Sequence, residues 1–291
     1  MIISPKKHRS YIPRTAHRFF GLLAISMLTL ITACQATEVN QITTCEPWAR
    51  LALGEYTLLN NIWGKGDIKQ YSQCISVEQP ETSPHLSWSW SWSWPESDYS
   101  IKAYPAILYG RKPWYDSSTT DNLPIQIEHL NSLLISYSVS NNSDGAYNLL
   151  LESWVTTEKS ADSDARIGEL AIQLYQQNWQ GQAGHYIETV RFGNFTFDFY
   201  IKEDMQVPGD DHTWVYYGFV NPGKMIEKGS IDMVPFMEYL VAKGYLDPKH
   251  YLASVELGNE IVELGNEIVN GTGKTVVDKF FITVDSTKTV H

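Results

Sequence analysis

The chain has 291 residues, 22 of them basic and 33 acidic, for a net charge of −11 at pH 7. Five basic residues (Lys6, Lys7, Arg9, Arg14 and Arg18) and no acidic ones lie within residues 1–33, so the remainder carries 17 basic against 33 acidic residues, about −16. Phosphate recognition needs a basic footprint, which excludes nucleic acid as a partner and leaves a neutral polymer such as a polysaccharide compatible.

Residues 1–33 read as a targeting segment, with a basic start followed by the apolar stretch Phe19 to Ile31. That stretch is too short and too strongly flanked for a membrane span. The segment runs into Ile31-Thr32-Ala33-Cys34, which is similar to the bacterial lipobox, whose cysteine becomes the acylated first residue of the mature protein. A simple cleaved signal peptide is the other reading. The expectation is an exported cell-envelope protein that meets the membrane only through a lipid on Cys34, and Gln35 is compatible with outer-membrane sorting. A polar tether, residues 34–44, leads into one domain, residues 45–291, without a further linker or composition break. With Cys34 set aside, the remaining cysteines are Cys45 and Cys74, in an exported chain where disulfides persist. They are expected to pair, closing a loop of about 30 residues for a stabilisation of roughly 3 kcal/mol.

From there the segments are β-like. YTLLNNIWG, QYSQCISV, SIKAYPAILYG, LLISYSVS, AYNLLLESWVT, ELAIQLYQ, HYIETVRF, FTFDFYIK, TWVYYGFV, YLASVELG and TVVDKFFITV are rich in β-branched and aromatic residues and separated by Gly, Asp, Asn or Pro clusters. One helix is expected in IDMVPFMEYLVAKG, capped by Ser230 or Asp232 and stopped at Gly244. Many strands with one late helix predict an all-β fold, a two-sheet β-sandwich of jelly-roll type. Within SWSWSWSWP, residues 87–95, strand alternation puts Trp88, Trp90, Trp92 and Trp94 on one face and the serines on the other. Such an indole face suits stacked sugar rings and equally suits a core.

Phosphate-loop and metal chemistry find little support. GTGKT at residues 271–275 lacks the glycine that a phosphate loop requires five positions before Gly273, where Ile268 stands. The eight histidines are scattered, and Asp210-Asp211-His212 reads as a solvated turn. With no Ser-His-Asp or Cys-His spacing, carboxylates remain. Glu152 follows Leu149, Leu150 and Leu151, and Glu169 precedes Leu170. Carboxylates on apolar strands are costly unless partnered, and pairing pushes their pKa values apart. Their occurrence beside a Trp-rich strand in an exported sandwich points to glycoside hydrolysis.

In chain order, CEPW at Cys45, NNIWG at Asn60, the WSWP ending at Pro95, IKAYPAILYGRKPW at Ile101, the ESW and ELAIQL strands, WVYYGFV at Trp214, the helix, and YLASVELGNEIV with NGTG together resemble glycoside hydrolase family 12, the endo-β-glucanases and xyloglucanases. The resemblance covers Cys45 to Val290. It implies a jelly roll with a concave substrate cleft, no metal or organic cofactor, a β-glucan polysaccharide (cellulose, mixed-linkage glucan or xyloglucan) as substrate, and a monomer. By the same resemblance Glu169 is the nucleophile, Glu152 the assisting carboxylate on the preceding strand, and the glutamate of a G-x-E-I segment the acid/base. Asn61 and Trp63 are implied to line the cleft, with Trp92 and Trp94 as matches to the family's W-x-W segment. Ala171 and Gln173 depart from the pattern, standing where methionine and tryptophan are usual. The implied chemistry is retaining double displacement, which needs the two carboxyl groups roughly 5 to 5.5 Å apart. A noncatalytic or weakly active glycan-binding lipoprotein on the same fold is the alternative.

The acid/base position is duplicated, because ELGNEIV occurs twice within residues 256–269 and places both Glu260 and Glu267 in a GNEIV context. Side chains alternate along a strand, so seven extra residues reverse the facing of everything beyond them. Upstream, Tyr251, Ala253, Val255, Leu257 and Ile261 are expected on an apolar face, with Glu256 and Glu260 opposite. If YLASV pairs with FFITV across a hairpin, the extra residues extend the hairpin tip near NGTG. That favours Glu260 over Glu267.

Overall fold

A computed structural model describes residues 40–79, 86–95, 100–160, 162–179, 182–207, 209–262 and 271–287. The targeting segment, Cys34 and the second repeat copy with Glu267 lie outside the described residues.

The strands form two sheets, as the alternation of residue types predicts. The smaller has six strands in the order Asn40–Thr44, Ser72–Gln79, Ser87–Trp94, Gly271–Ser286, Leu130–Ser143 and Lys228–Asp232. The larger has thirteen, and its main path runs His185–Phe192, Phe195–Met205, Trp214–Val220, Arg166–Gln177, Ala146–Thr156, Ser254–Gly258, Ala106–Gly110, Tyr56–Leu59 and Arg50–Leu53. Among the described residues every pairing is antiparallel except that of Arg166–Gln177 with Trp214–Val220. The hairpin of His185–Phe192 and Phe195–Met205 lies between those two strands in sequence, so the chain returns in the same direction.

Ala146–Thr156 is buried along its whole length, which explains why AYNLLLESWVT reads as a nearly continuous apolar run. Tyr147, Leu149, Leu151 and Val155 join the main core between the sheets. Alternate residues, Asn148, Glu152 and Trp154, point the other way. The helix occupies Val234–Ala242. Asp232, rather than Ser230, meets its start: Asp232 Oδ1 accepts from the backbone N–H of Val234 at 3.1 Å and of Leu133 at 3.0 Å. Ser230 sits in the edge strand and bonds Ser136 instead. Gly244, at φ +78°, ends the helix, and its N–H reaches Val241 O. Phe236 drives the helix into the sandwich against Phe192, Phe197 and Phe219.

The tryptophan run resolves to the core reading. All four indoles face the interior, each at most 4 % exposed, and the expectation that Trp92 and Trp94 bind substrate is corrected. Their strand belongs to the smaller sheet, whose inner face packs against the larger one, so an indole there meets Leu and Ile rather than solvent. Trp94 stacks on Tyr71 at 4.3 Å and donates to Gln73 Oε1 at 3.2 Å. Trp92 lies so close over Gly273 that a Cβ there would sit 2.2 Å from its ring. That contact makes Gly273 a packing glycine within the strand Gly271–Ser286, not part of a phosphate loop.

The pairing of YLASV with FFITV is also corrected. Tyr251 and Leu252 pair with Thr156 and Val155, and Ser254–Gly258 with Gly110–Ala106. Phe280–Val284 pairs with Tyr137–Leu133 in the other sheet. The chain therefore leaves the larger sheet at residue 262 and re-enters in the smaller one at residue 271, so the two segments are not the arms of one hairpin. A break between the strands Tyr251–Leu252 and Ser254–Gly258 also shifts the facing. Leu252 enters the core while Ala253 packs with Trp154 and Trp214. Beyond the break Val255, Leu257 and Ile261 face the core as expected. Cys45 and Cys74 form the disulfide, joining the first strand of the smaller sheet to its neighbour.

Trp92→Ala and Trp94→Ala are each expected to lower the unfolding free energy by about 3 to 5 kcal/mol. Trp63→Ala, at a side chain 42 % exposed, is expected to change it by less than about 1 kcal/mol. Urea denaturation of the three variants measures the contrast.

Candidate active site

The outward face of the larger sheet carries a cleft of about 660 Å³. Its floor is built on Ala146–Thr156 and the two strands beside it. Glu152 lies opposite Ala171 on one side and Glu256 on the other, and Glu169 lies opposite Trp154. Gly258 to Val262 continues along the far side, where Asn148 grips Glu260 three ways. Its Nδ2 donates to Glu260 Oε2 at 2.5 Å, its Oδ1 accepts from Glu260 N at 2.9 Å, and its own backbone N–H reaches Glu260 O at 3.0 Å. Glu152, Glu169 and Glu260 all line the cleft. The central strand thus holds Glu152 and separates the strands that present the other two.

Asn61 and Trp63 line the same cleft, where the resemblance placed them. Asn61 Oδ1 accepts from Trp63 N at 3.1 Å and so turns the indole outward. Asn60 fixes that turn from behind: Gln73 Nε2 donates to Asn60 Oδ1 at 2.9 Å and to Asn61 O at 3.2 Å. Trp94 thus contributes to the site through Gln73, from inside the core.

Several lining residues were not singled out from the sequence. Trp48 and Trp114, inside the quoted CEPW and GRKPW motifs, line the cleft and are 54 % and 39 % exposed. Trp114, Trp154 and Trp214 form an edge-to-face cluster, with Trp154 4.9 Å from Trp114 and 5.3 Å from Trp214. The buried Arg166 lies over two of these rings, 5.0 Å from Trp114 and 5.2 Å from Trp214, and is paired with Asp210. His212 Nε2 sits 2.6 Å from Arg166 O. Asp210 and His212 therefore anchor a cleft wall instead of forming the free turn expected of them. No cluster able to hold a metal ion occurs among the described residues.

The largest omission is Lys112. Buried in the cleft floor, its Nζ lies 2.8 and 2.7 Å from the two oxygens of Glu256 and 3.3 Å from Glu152 Oε1. Burial alone disfavours its charge, but Glu152 and Glu256 more than offset that and raise its pKa. A lysine in GRKPW reads as a surface residue, since the partner that keeps it buried is 144 positions away.

Burial dominates the carboxyls. It raises Glu169 well above the usual range, reinforced by the charge of Glu152 and opposed by the Trp214 Nε1–H donated to Oε2 at 2.8 Å. Burial and then Glu152 raise Glu260 to about 7, against the Asn148 hydrogen bond. Burial also raises Glu256 to about 7, against the charge of Lys112. Carboxyls raised in this way beside a charged neighbour are the arrangement in which one can act as acid while another stays ionised.

Glycosyl hydrolase family 12 matches residues 54–285 of the chain. The chain belongs to that family. Endoglucanase S of Pectobacterium parmentieri is 31 % identical over 250 residues, covering 83 % of this chain and 86 % of its own. The inactive glycoside hydrolase XLP1 of Phytophthora nicotianae is 26 % identical, covering 81 % and 91 %. Among solved structures, a family 12 xyloglucanase from Bacillus licheniformis in complex with ligand superposes with a TM-score of 0.72 at 25 % identity, covering 84 % of this chain and all of the other. The family 12 jelly roll agrees with the expected fold, and the protein is a glycoside hydrolase.

Two outcomes test the electrostatics of this hydrolase. A carboxyl whose folded-state pKa is raised binds its proton more tightly in the folded state, so its contribution to stability is lost as pH rises from about 4.5 to about 7. Glu260→Gln is expected to flatten the fall in melting temperature across that window. Lys112→Met leaves Glu256 buried without its cation and is expected to cost about 3 to 5 kcal/mol at pH 7. Without the cation the Glu256 carboxyl rises further above about 7, so the deficit should widen above pH 7, where only the wild-type Glu256 ionises, which thermal melts at pH 7 and pH 9 would reveal.

Proposed function

We propose that this hydrolase is an endo-acting β-1,4-glucanase working by double displacement, with Glu169 as nucleophile and Glu260 as acid/base. The supporting observation is that Glu169, on Arg166–Gln177, and Glu260, just beyond Ser254–Gly258, line one cleft from either side of Ala146–Thr156 together with several indoles. Aromatic faces there suit the C–H faces of glucosyl units. Glu169 attacks the anomeric carbon while Glu260 gives its proton to the leaving oxygen; Glu260 then takes a proton from the water that releases the glycosyl-enzyme. Glu152 tunes Glu169 through its charge, and Trp154 holds Glu152 in place by donating to Oε1 at 2.5 Å. The names of the endoglucanase and xyloglucanase relatives favour cellulose-type glucan or xyloglucan as substrate. We also propose export to the bacterial cell envelope, a lipid on Cys34 and a monomeric state, on the strength of the sequence alone.

A glycan-binding protein without turnover is the second reading, favoured by the relative named as inactive. Reducing-end assays of residues 35–291 on carboxymethyl-cellulose, barley β-glucan and xyloglucan separate the two. Hydrolysis is expected, with Glu169→Gln reducing kcat by on the order of 10³ or more; binding without turnover, unchanged by that substitution, overturns the assignment. Glu260→Gln is expected to lower kcat/KM by about 10² to 10⁴, with Glu267→Gln close to wild type. The alkaline limb of the wild-type profile should fall near pH 7, where Glu260 gives up its proton.

A further inference from the structure

Tyr104 has no role in the scheme above. It follows the short strand Ile101–Ala103, and its N–H is fixed to Asn61 O at 3.0 Å. The ring is 2 % exposed and lines the cleft. Gly258 gives it room, since a Cβ there would come within 2.8 Å of Tyr104 Cε2. Lys112 Nζ lies 5.4 Å from the ring centroid on another side. Tyr104 is thus wedged between the segment that carries Asn61 and the strand that leads to Glu260.

Its hydroxyl is buried and finds no hydrogen-bond partner among the described residues. An unsatisfied buried hydroxyl costs about 1 to 3 kcal/mol and needs an explanation. Burial and the charges of Glu152, Glu256, Glu260 and Glu169 all oppose its ionisation, so the phenol keeps its proton at any working pH. A neutral O–H among these carboxyls, on a residue that lines the cleft, is a hydrogen-bond donor without an acceptor among the described residues.

We propose that Tyr104 is a further substrate-binding residue, whose hydroxyl donates to an oxygen of the glucosyl unit seated between Glu169 and Glu260. This rests on the proposed β-glucanase reading. The same bond orients that unit about its own axis, with Asn61 holding Tyr104 and Trp63 in one frame. A hydroxyl satisfied only by substrate also explains why the folded protein tolerates it unpaired: the cost in the free enzyme is recovered on binding.

Tyr104→Phe removes one oxygen and keeps the ring. The expected result is a roughly tenfold fall in kcat/KM on barley β-glucan or xyloglucan, the size of one lost hydrogen bond, with the melting temperature unchanged or raised. A kcat/KM within twofold of wild type overturns the proposal, as does a loss of rate that comes with a fall of several degrees in melting temperature, which would make Tyr104 a packing residue. Calorimetric titration of cellotetraose into wild type and Tyr104→Phe keeps the test independent of turnover. If wild type binds but does not hydrolyse, the catalytic reading fails while about tenfold weaker binding by the variant still supports Tyr104; equal binding overturns it.

Discussion

Removing a carboxylate from water costs several kcal/mol unless a counter-charge or fixed donors replace the solvent, and this cleft floor gathers Glu152, Glu169, Glu256 and Glu260 on three neighbouring strands. The Lys112 link to Glu256 and Glu152 is the interaction on which the arrangement depends. It offsets the charge of Glu256 and Glu152, and so lets Glu152 stand beside Glu169. Trp214, Trp154 and Asn148 supply the fixed donors. Each of these two indoles then serves twice, lining the cleft and donating its N–H to a carboxylate.

The site is tied to the core through polar side chains as well as through packing. Asn259, fully buried beside Glu260, accepts from Trp90 Nε1 at 2.8 Å and from Thr275 Oγ1 at 2.8 Å, both on the smaller sheet, and donates to Asn148 O at 2.5 Å. Gln73 makes the equivalent link from Trp94 to the Asn60–Asn61 turn. A buried indole needs a partner for its N–H, and here the partners are the residues that orient the cleft. The tryptophan run therefore reaches function from the interior, by fixing Asn259 and Gln73, while Trp48, Trp63 and Trp114 face the cleft itself.

Much of this was legible because it is periodic or local. The strand segments, the late helix, the Cys45–Cys74 bond, and the apolar-inward facing of Val255, Leu257 and Ile261 all follow from alternation, capping chemistry and elimination. The positions of Glu152 and Glu169 were legible for the same reason, since a charge inside an apolar run must face something other than a core. The run SWSWSWSW defined a face without saying what lay over it. Core and sugar cleft ask for the same alternation, and only the pairing of that strand into the smaller sheet distinguishes them. The supposed YLASV–FFITV hairpin failed because sequence neighbours usually pair, whereas here the chain crosses between sheets.

By itself, then, the sequence determined an all-β chain and the identities of its acidic strand residues, because these depend on residue type and on spacing within single strands, while the family showed as a resemblance in its ordered motifs. Tertiary structure alone decided which glutamates share one cleft, that Lys112 rather than solvent meets Glu256, and that Trp92 and Trp94 are core. Those facts depend on contacts between segments far apart in the chain, Lys112 and Glu256 being 144 positions apart. Long-range register is fixed by the sum of many weak contacts, and no single motif encodes it.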